Sequence, residues 1–206
     1  MHLGIFGGSF DPVHFGHLRL AEEAREQAEL DKVLFVPTQV SPFKVGRTQT
    51  PAAIRLQMLE IAVSDNPAFA ISDTEVRRPG PSYTVDTLRE LSNTFPDAEL
   101  YFITGTDAVR DLPKWHQPEE VLRLARFLVS VRPGVDKGEV LAALPDLWEE
   151  RIRFIEMTEL DISSTYLRER LRQGGSARYL LPRNVIDFIE SQGLYRDVSG
   201  DGVQKR

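Results

Sequence analysis

The chain has 206 residues and a mass of 23.3 kDa, enough to bury roughly 70% of its unfolded surface without disulfide or metal staples. At 41% hydrophobic and 27% charged it is globular in composition, not a largely disordered chain. It has no cysteine, which excludes a disulfide framework, a thiolate zinc site, an iron–sulfur cluster and a thiol nucleophile, and its net charge of −6 offers no general basic face for nucleic acid.

Taken in order, Leu3–Phe6 is apolar throughout and reads as a buried first strand, followed by a loop of Gly, Pro and His. Leu18, Leu20, Ala21, Ala24, Ala28 and Leu30 then recur at helical spacing. Val33–Val36 is a second strand ended by Pro37, and Thr38–Pro51 is a long polar loop. Pro51 opens a helix with the apolar face Ile54, Met58, Leu59 and Ile61. Phe69–Ile71 is a short strand, Arg77–Ser82 a tight loop and Thr84–Leu91 a helix. Strands Leu100–Thr104 and Phe127–Val131 flank a helix at Pro118–Ala125. The helix Gly138–Leu144, the strand Ile152–Ile155 and the helices Ser164–Arg172 and Pro182–Gln192 complete a single domain over residues 1–196, leaving 197–206 as a frayed polar tail. Fully apolar strands separated by amphipathic helices specify an α/β fold, a doubly wound and mostly parallel sheet covered on both faces. Such sheets bind ligands at the carboxyl ends of their strands. No apolar run approaches the ~20 residues of a membrane helix, and Met1-His2-Leu3 lacks the basic start of a signal segment. The expectation is a soluble, cytoplasmic protein with neither nucleic acid nor membrane as partner. The oligomeric state is left open, a homo-oligomer included.

Chemistry concentrates in residues 4–20, GIFGGSFDPVHFGHLRL. Gly7 and Gly8 let backbone amides approach a ligand, but the stretch is not GxGxxG, and GxxxxGK[ST] is absent from the chain. Instead His14 and His17 stand at the start of the first helix, where Arg19 follows and no acid occurs before Glu22. Carboxylates would stabilise that helix end for its own sake; imidazoles and a guanidinium there suit an incoming anion. Metal ligation by the pair lacks a third ligand nearby.

The stretch GSFDPVHFGH resembles the GxFxPxHxGH motif of the HxGH nucleotidyltransferase superfamily. The resemblance implies a Rossmann-like nucleotidyltransferase fold, and an ATP site that includes Gly7, Gly8, Ser9, Phe10, His14, Gly16 and His17. Near the other end, Asp161-Ile162-Ser163-Ser164-Thr165-Tyr166-Leu167-Arg168 precedes a helix that Ser163 or Ser164 caps, with no acid at the capping-box position. This segment is similar to the superfamily's ISSTxxR motif, which implies that Ile162, Ser163, Ser164 and Arg168 meet the distal phosphates.

Three further stretches bear on the acceptor. Ser82 or Thr84 is placed to cap a helix and leave amides for a small anion; Trp115 is a flat stacking surface; Gly105 and Asp107 end a strand where a carboxylate meets ribose hydroxyls or caps the next helix. Together, RRPGPSYT, GTDAVRDLPKWH, VPTQVSPFK and VRPG make the chain similar, from Gly4 to Tyr195, to the bacterial nicotinate-nucleotide adenylyltransferase family. That resemblance implies ATP and nicotinate mononucleotide as substrates, with His14, His17 and Arg168 catalytic. Gly105, Asp107 and Arg132 would line the ATP site; Lys44, Ser82, Tyr83, Thr84 and Trp115 would receive the mononucleotide. Mg²⁺ would arrive on the ATP phosphates, with no metal site of the protein's own. The alternatives are a preference for the amide nucleotide, another phosphorylated acceptor, and a non-catalytic adenine-nucleotide sensor.

Overall fold

The computed structural model describes residues 1–40, 49–131, 134–158 and 160–196. A sheet of six strands forms its centre: β1 (His2–Gly8), β2 (Lys32–Pro37), β3 (Phe69–Ile71), β4 (Glu99–Gly105), β5 (Ala125–Ser130) and β6 (Ile152–Ile155). Their order is β3-β2-β1-β4-β5-β6 and every pairing is parallel. Helices α1 (Phe15–Gln27), α2 (Ala52–Val63), α8 (Ser164–Arg172) and α9 (Arg183–Ser191) contribute to the core on one face; α4 (Thr84–Thr94), α5 (Thr106–Arg110), α6 (Pro118–Leu124) and α7 (Lys137–Ala142) contribute to the other.

Alternation along the strands sorts the two cores. Phe6, Val33, Phe35, Ile103 and Leu128 go to the α1 face; Leu3, Ile5, Leu34, Val36, Phe102, Phe127 and Val129 go to the α4 face. Both sets are buried, which is why these strands are apolar throughout. The sheet order reverses at β1, which pairs β2 on one side and β4 on the other. In register, Gly8 lies beside Pro37 and Gly105 beside Ser130, so the carboxyl ends of these strands line one rim.

Three expectations need correction. Thr74–Arg77 is a short helix, α3, so the loop expected from Arg77 begins one residue later; four residues are too few to show a helical period. Thr106–Arg110 is the helix α5, in a stretch to which the sequence reading gave no bounded element, and Leu112–Lys114, expected as part of a loop over 111–116, is a 3₁₀ turn. The apolar face of α2 is rotated: Met58, Leu59, Ala62 and Val63 are buried, Ile54 and Ile61 only partly so, and the fifth buried residue is Arg55. The expected tail, 197–206, lies outside the described residues.

Arg55 is 1% exposed and is satisfied by backbone carbonyls. Its Nε donates to Thr50 O at 2.8 Å, Nη1 to Ser9 O at 2.6 Å and Nη2 to Thr38 O at 2.7 Å. It therefore clamps the segments leaving β1 and β2 to the start of α2. Burial lowers its pKa from the ordinary value, opposed by Asp11, Tyr195 and Glu75. Replacing it would leave three loop carbonyls without their donor. Arg55→Met is expected to lose at least about 3 kcal/mol of stability, read as a lower urea midpoint at unchanged slope.

Candidate active site

Above the carboxyl ends of β4 and β5 lies a cleft of about 710 Å³. Its walls include His14, Gly16 and His17 from the start of α1, Gly105, Thr106 and Asp107 from the β4–α5 junction, and Ile162, Ser163 and Ser164 from the approach to α8. Ser130, Val131, Met157, Leu160 and Asp161 complete the lower side with Phe6 and Leu20. Two helix amino ends, from distant parts of the chain, thus share one cavity. Each carries the positive partial charge of a helix start, although at α1 the Phe15 N–H already donates to Leu180 O at 3.1 Å and the His17 N–H to His14 O at 2.9 Å.

His14 is the N-cap of α1 and no acid occupies the first turn. The His17 ring stacks on that of His14, centroids 3.7 Å apart. His17 Nδ1 accepts the His14 backbone N–H at 3.3 Å. A nitrogen acting as acceptor carries no proton, so the neutral His17 ring has its hydrogen on Nε2 as a donor. Phe10 packs edge-on against His17 with centroids 5.0 Å apart. His14 is 5% exposed, and burial lowers its pKa from 6.5 to about 4, so it is neutral at physiological pH. Its Nδ1 is buried with no hydrogen-bond partner among the described residues. Gly16 makes this stack possible: a Cβ there would lie 3.0 Å from His14 Nδ1.

The second amino end is capped by Ser163, whose Oγ accepts the Tyr166 N–H at 3.2 Å. Ser164 Oγ instead donates to Pro12 O at 2.9 Å, and so ties α8 to the first loop. Arg168 stands behind this wall: Nη1 donates to Asp11 O at 2.6 Å and Nη2 to Thr165 Oγ1 at 3.3 Å. With five N–H groups, a guanidinium so held keeps others for a phosphate. Arg19 does not share in the site. It pairs with Glu23 at 2.8 Å, which answers the cation that had seemed free for an anion.

Of the other residues expected at the ATP site, Phe10 is buried beneath His17 and does not line the cleft. Gly8 serves Phe10, since a Cβ at Gly8 would lie 2.9 Å from that ring. A Cβ at Gly7 would lie 3.5 Å from the Phe102 ring, on the opposite face of the sheet. The carbonyl of Ser9 is held by Arg55. Arg132 and Lys44 lie outside the described residues.

The residues assigned to the acceptor gather on the α4 face. Trp115 is half-buried and meets Phe102 edge-on at 5.8 Å. Tyr83 lies against His116, centroids 4.7 Å apart, which brings the 82–84 and 115–116 segments side by side. Neither Ser82 nor Thr84 caps α4. Tyr83 is its N-cap, without a side-chain cap bond. Ser82 is buried, its Oγ accepting the Gln39 N–H at 3.1 Å, so it anchors the β2 loop instead. The first amides of α4 are left to a ligand all the same. The candidate residues therefore form two groups, one around the cleft and one of Tyr83, Trp115 and His116 on the α4 face.

Sequence reasoning missed Thr106, Ser130 and Met157 as cleft residues, and the supports Asp11, Arg55 and Tyr195. A lone arginine on an otherwise apolar helix face was the one available signal, for Arg55.

A profile of the cytidylyltransferase-like family matches residues 5–170. Among curated relatives, "Probable nicotinate-nucleotide adenylyltransferase" of Thermomicrobium roseum is 45% identical over 198 residues, covering 95% of this chain and 92% of its own. Proteins of the same name from Desulfitobacterium hafniense and Thermus thermophilus are 47% and 45% identical, over 94% and 95% of this chain and 95% and 100% of theirs. Among solved structures, Plasmodium falciparum nicotinic acid mononucleotide adenylyltransferase complexed with NaAD superposes with a TM-score of 0.78 at 20% identity, covering 94% of this chain and 97% of that one. The chain belongs to the cytidylyltransferase-like family and, within it, to the nicotinate-nucleotide adenylyltransferases.

Proposed function

We propose that the protein transfers the adenylyl group of ATP to nicotinate mononucleotide, releasing pyrophosphate and nicotinate adenine dinucleotide, as a soluble, cytoplasmic enzyme of NAD biosynthesis. The observation that carries this reading is the meeting of the α1 and α8 amino ends over one cleft. The acceptor phosphate, with a second pKa near ~6, is already an oxyanion at neutral pH, so no general base is required. Attack is direct and in line on the α-phosphorus. Catalysis then consists of aligning two polyanions and neutralising the charge that develops between them.

His17 donates its Nε2 hydrogen to the α-phosphate, and the neutral His14 beneath it supports the α–β region. Ser163, Ser164, the α8 amides and Arg168 hold the departing pyrophosphate. Mg²⁺ enters on the ATP phosphates; among the described residues no cluster of three or more His, Asp or Glu would cage it, and Asp107 and Asp161 are the carboxylates lining the cleft. When bound it supplies countercharge to the phosphates. Trp115 stacks on the pyridine ring, and Thr84 with the first amides of α4 receives its carboxylate. Donors of that kind favour the acid over the amide.

Pyrophosphate release with Mg-ATP should therefore be strong with nicotinate mononucleotide and weak with its amide analogue. No release with the acid would overturn the assignment. His17→Ala is expected to lose at least about tenfold in kcat/KM, roughly 1.4 kcal/mol, and a smaller loss removes its transition-state role. The pKa of His14, about 4 in the fold against 6.5 free, means the unfolded chain binds the extra proton first as pH falls. His14 therefore contributes stability at neutral pH that is lost as pH falls from 6.5 toward 4, on the order of 3 kcal/mol in all. His14→Asn should show a shallower decline of the urea midpoint over that window, and an unchanged decline would place the titrating group elsewhere.

A further inference from the structure

We propose that Tyr195 is a positioning residue for the phosphate-binding loop, acting through the buried carboxylate of Asp11 on Arg168 and α8. Asp11 is 3% exposed, and donors from distant parts of the chain hold its two carboxylate oxygens. The Tyr195 hydroxyl donates to Oδ1 at 2.6 Å, and the Thr50 N–H donates to Oδ2 at 3.2 Å. With both oxygens taken, the carboxylate cannot turn and its backbone is held with it. The two carbonyls that follow are the docking points of the second phosphate wall. Asp11 O accepts Arg168 Nη1 at 2.6 Å, and Pro12 O accepts Ser164 Oγ at 2.9 Å. The next residues along the chain lead directly to His14. One carboxylate thus indexes the HxGH end and the ISST end against each other, and Tyr195 is its hydroxyl donor.

Tyr195 reaches this place because α9 packs on α2, where Asn184 Nδ2 donates to Ile61 O at 2.8 Å. Its backbone lies in the left-handed region, φ 58°, a conformation unusual for tyrosine and imposed by the surrounding contacts. Burial beside the Asp11 carboxylate pushes the phenol well above its usual range, so it remains a donor at every working pH. Arg55 closes the other side of the cluster through Ser9 O and Thr50 O. A residue at the far end of the described chain thereby has a defined task in a site built mainly from the first and last motifs.

The inference rests on the ATP-site reading above, and its test is a binding cycle separate from turnover. The affinity of the full-length protein for α,β-methylene ATP would be measured by calorimetry for wild type, Tyr195→Phe, Arg168→Ala and the double variant. Tyr195→Phe keeps the ring and removes only the hydroxyl. It should weaken the analogue about five- to tenfold and raise KM for ATP alongside, leaving KM for the mononucleotide within about twofold. In the Arg168→Ala background the same change should cost less than about twofold, because the residue it positions is gone. Asp11→Asn, nearly isosteric, should share the selective loss for ATP. An unchanged affinity, an equal loss in both backgrounds, or a lower melting temperature with affinity intact would each reduce Tyr195 to a structural contact and overturn the proposal. A wild-type protein that binds the analogue yet releases no pyrophosphate would refute the adenylyl-transfer reading, leaving the cycle to judge Tyr195 by itself.

Discussion

A guanidinium buried at 1% exposure holds together the segments that make the site. Arg55 satisfies the carbonyls of Ser9, Thr38 and Thr50, which belong to the loop after β1 and to the two ends of the connection from β2 to α2. Such loops carry backbone groups that no strand pairs, and burying them without partners would be costly. One side chain with a rigid fork of donors meets that need, and a lysine, a point charge on a flexible stem, would not meet it in the same geometry.

The groups proposed to meet phosphate are tied to that clamp by a chain of contacts. Arg55 holds Ser9; Asp11, two residues on, is fixed by Tyr195 and Thr50; and Asp11 and Pro12 dock Arg168 and Ser164. The stacked histidines lie at the end of the same loop, with Phe10 packed edge-on against His17 and Gly16 leaving room for His14. Each group proposed to meet phosphate is therefore backed by contacts with residues that the proposal keeps away from it. Preorganisation of this kind lets donors act on developing charge without first reorganising.

The two groups of candidate residues follow from the sheet. Successive side chains of β1 and β4 point to opposite faces, so Phe6 supports the histidine group and Phe102 the Trp115 group.

The strands, most helices and the two motif-bearing helix starts were legible in the sequence because each rests on a local rule: apolar runs for buried strands, helical spacing for amphipathic helices, and helix ends that lack the acids they would otherwise favour. Missing were the features that require knowing what lies across space. Arg19 had seemed free and is paired with Glu23, and Ser82 had seemed a cap and instead anchors Gln39. In both cases a polar group was judged by its neighbours in the chain, whereas the fold supplied another partner. Arg55, Asp11 and Tyr195 are joined across as many as 184 positions of sequence, a separation at which no periodicity or motif carries information. By itself the sequence determined the parallel α/β architecture and marked the helix starts that carry the two motifs, since those are matters of local pattern and residue chemistry. Only the tertiary structure decided which groups hold them in place, because a buried polar side chain is specified by the donors and acceptors that packing brings to it.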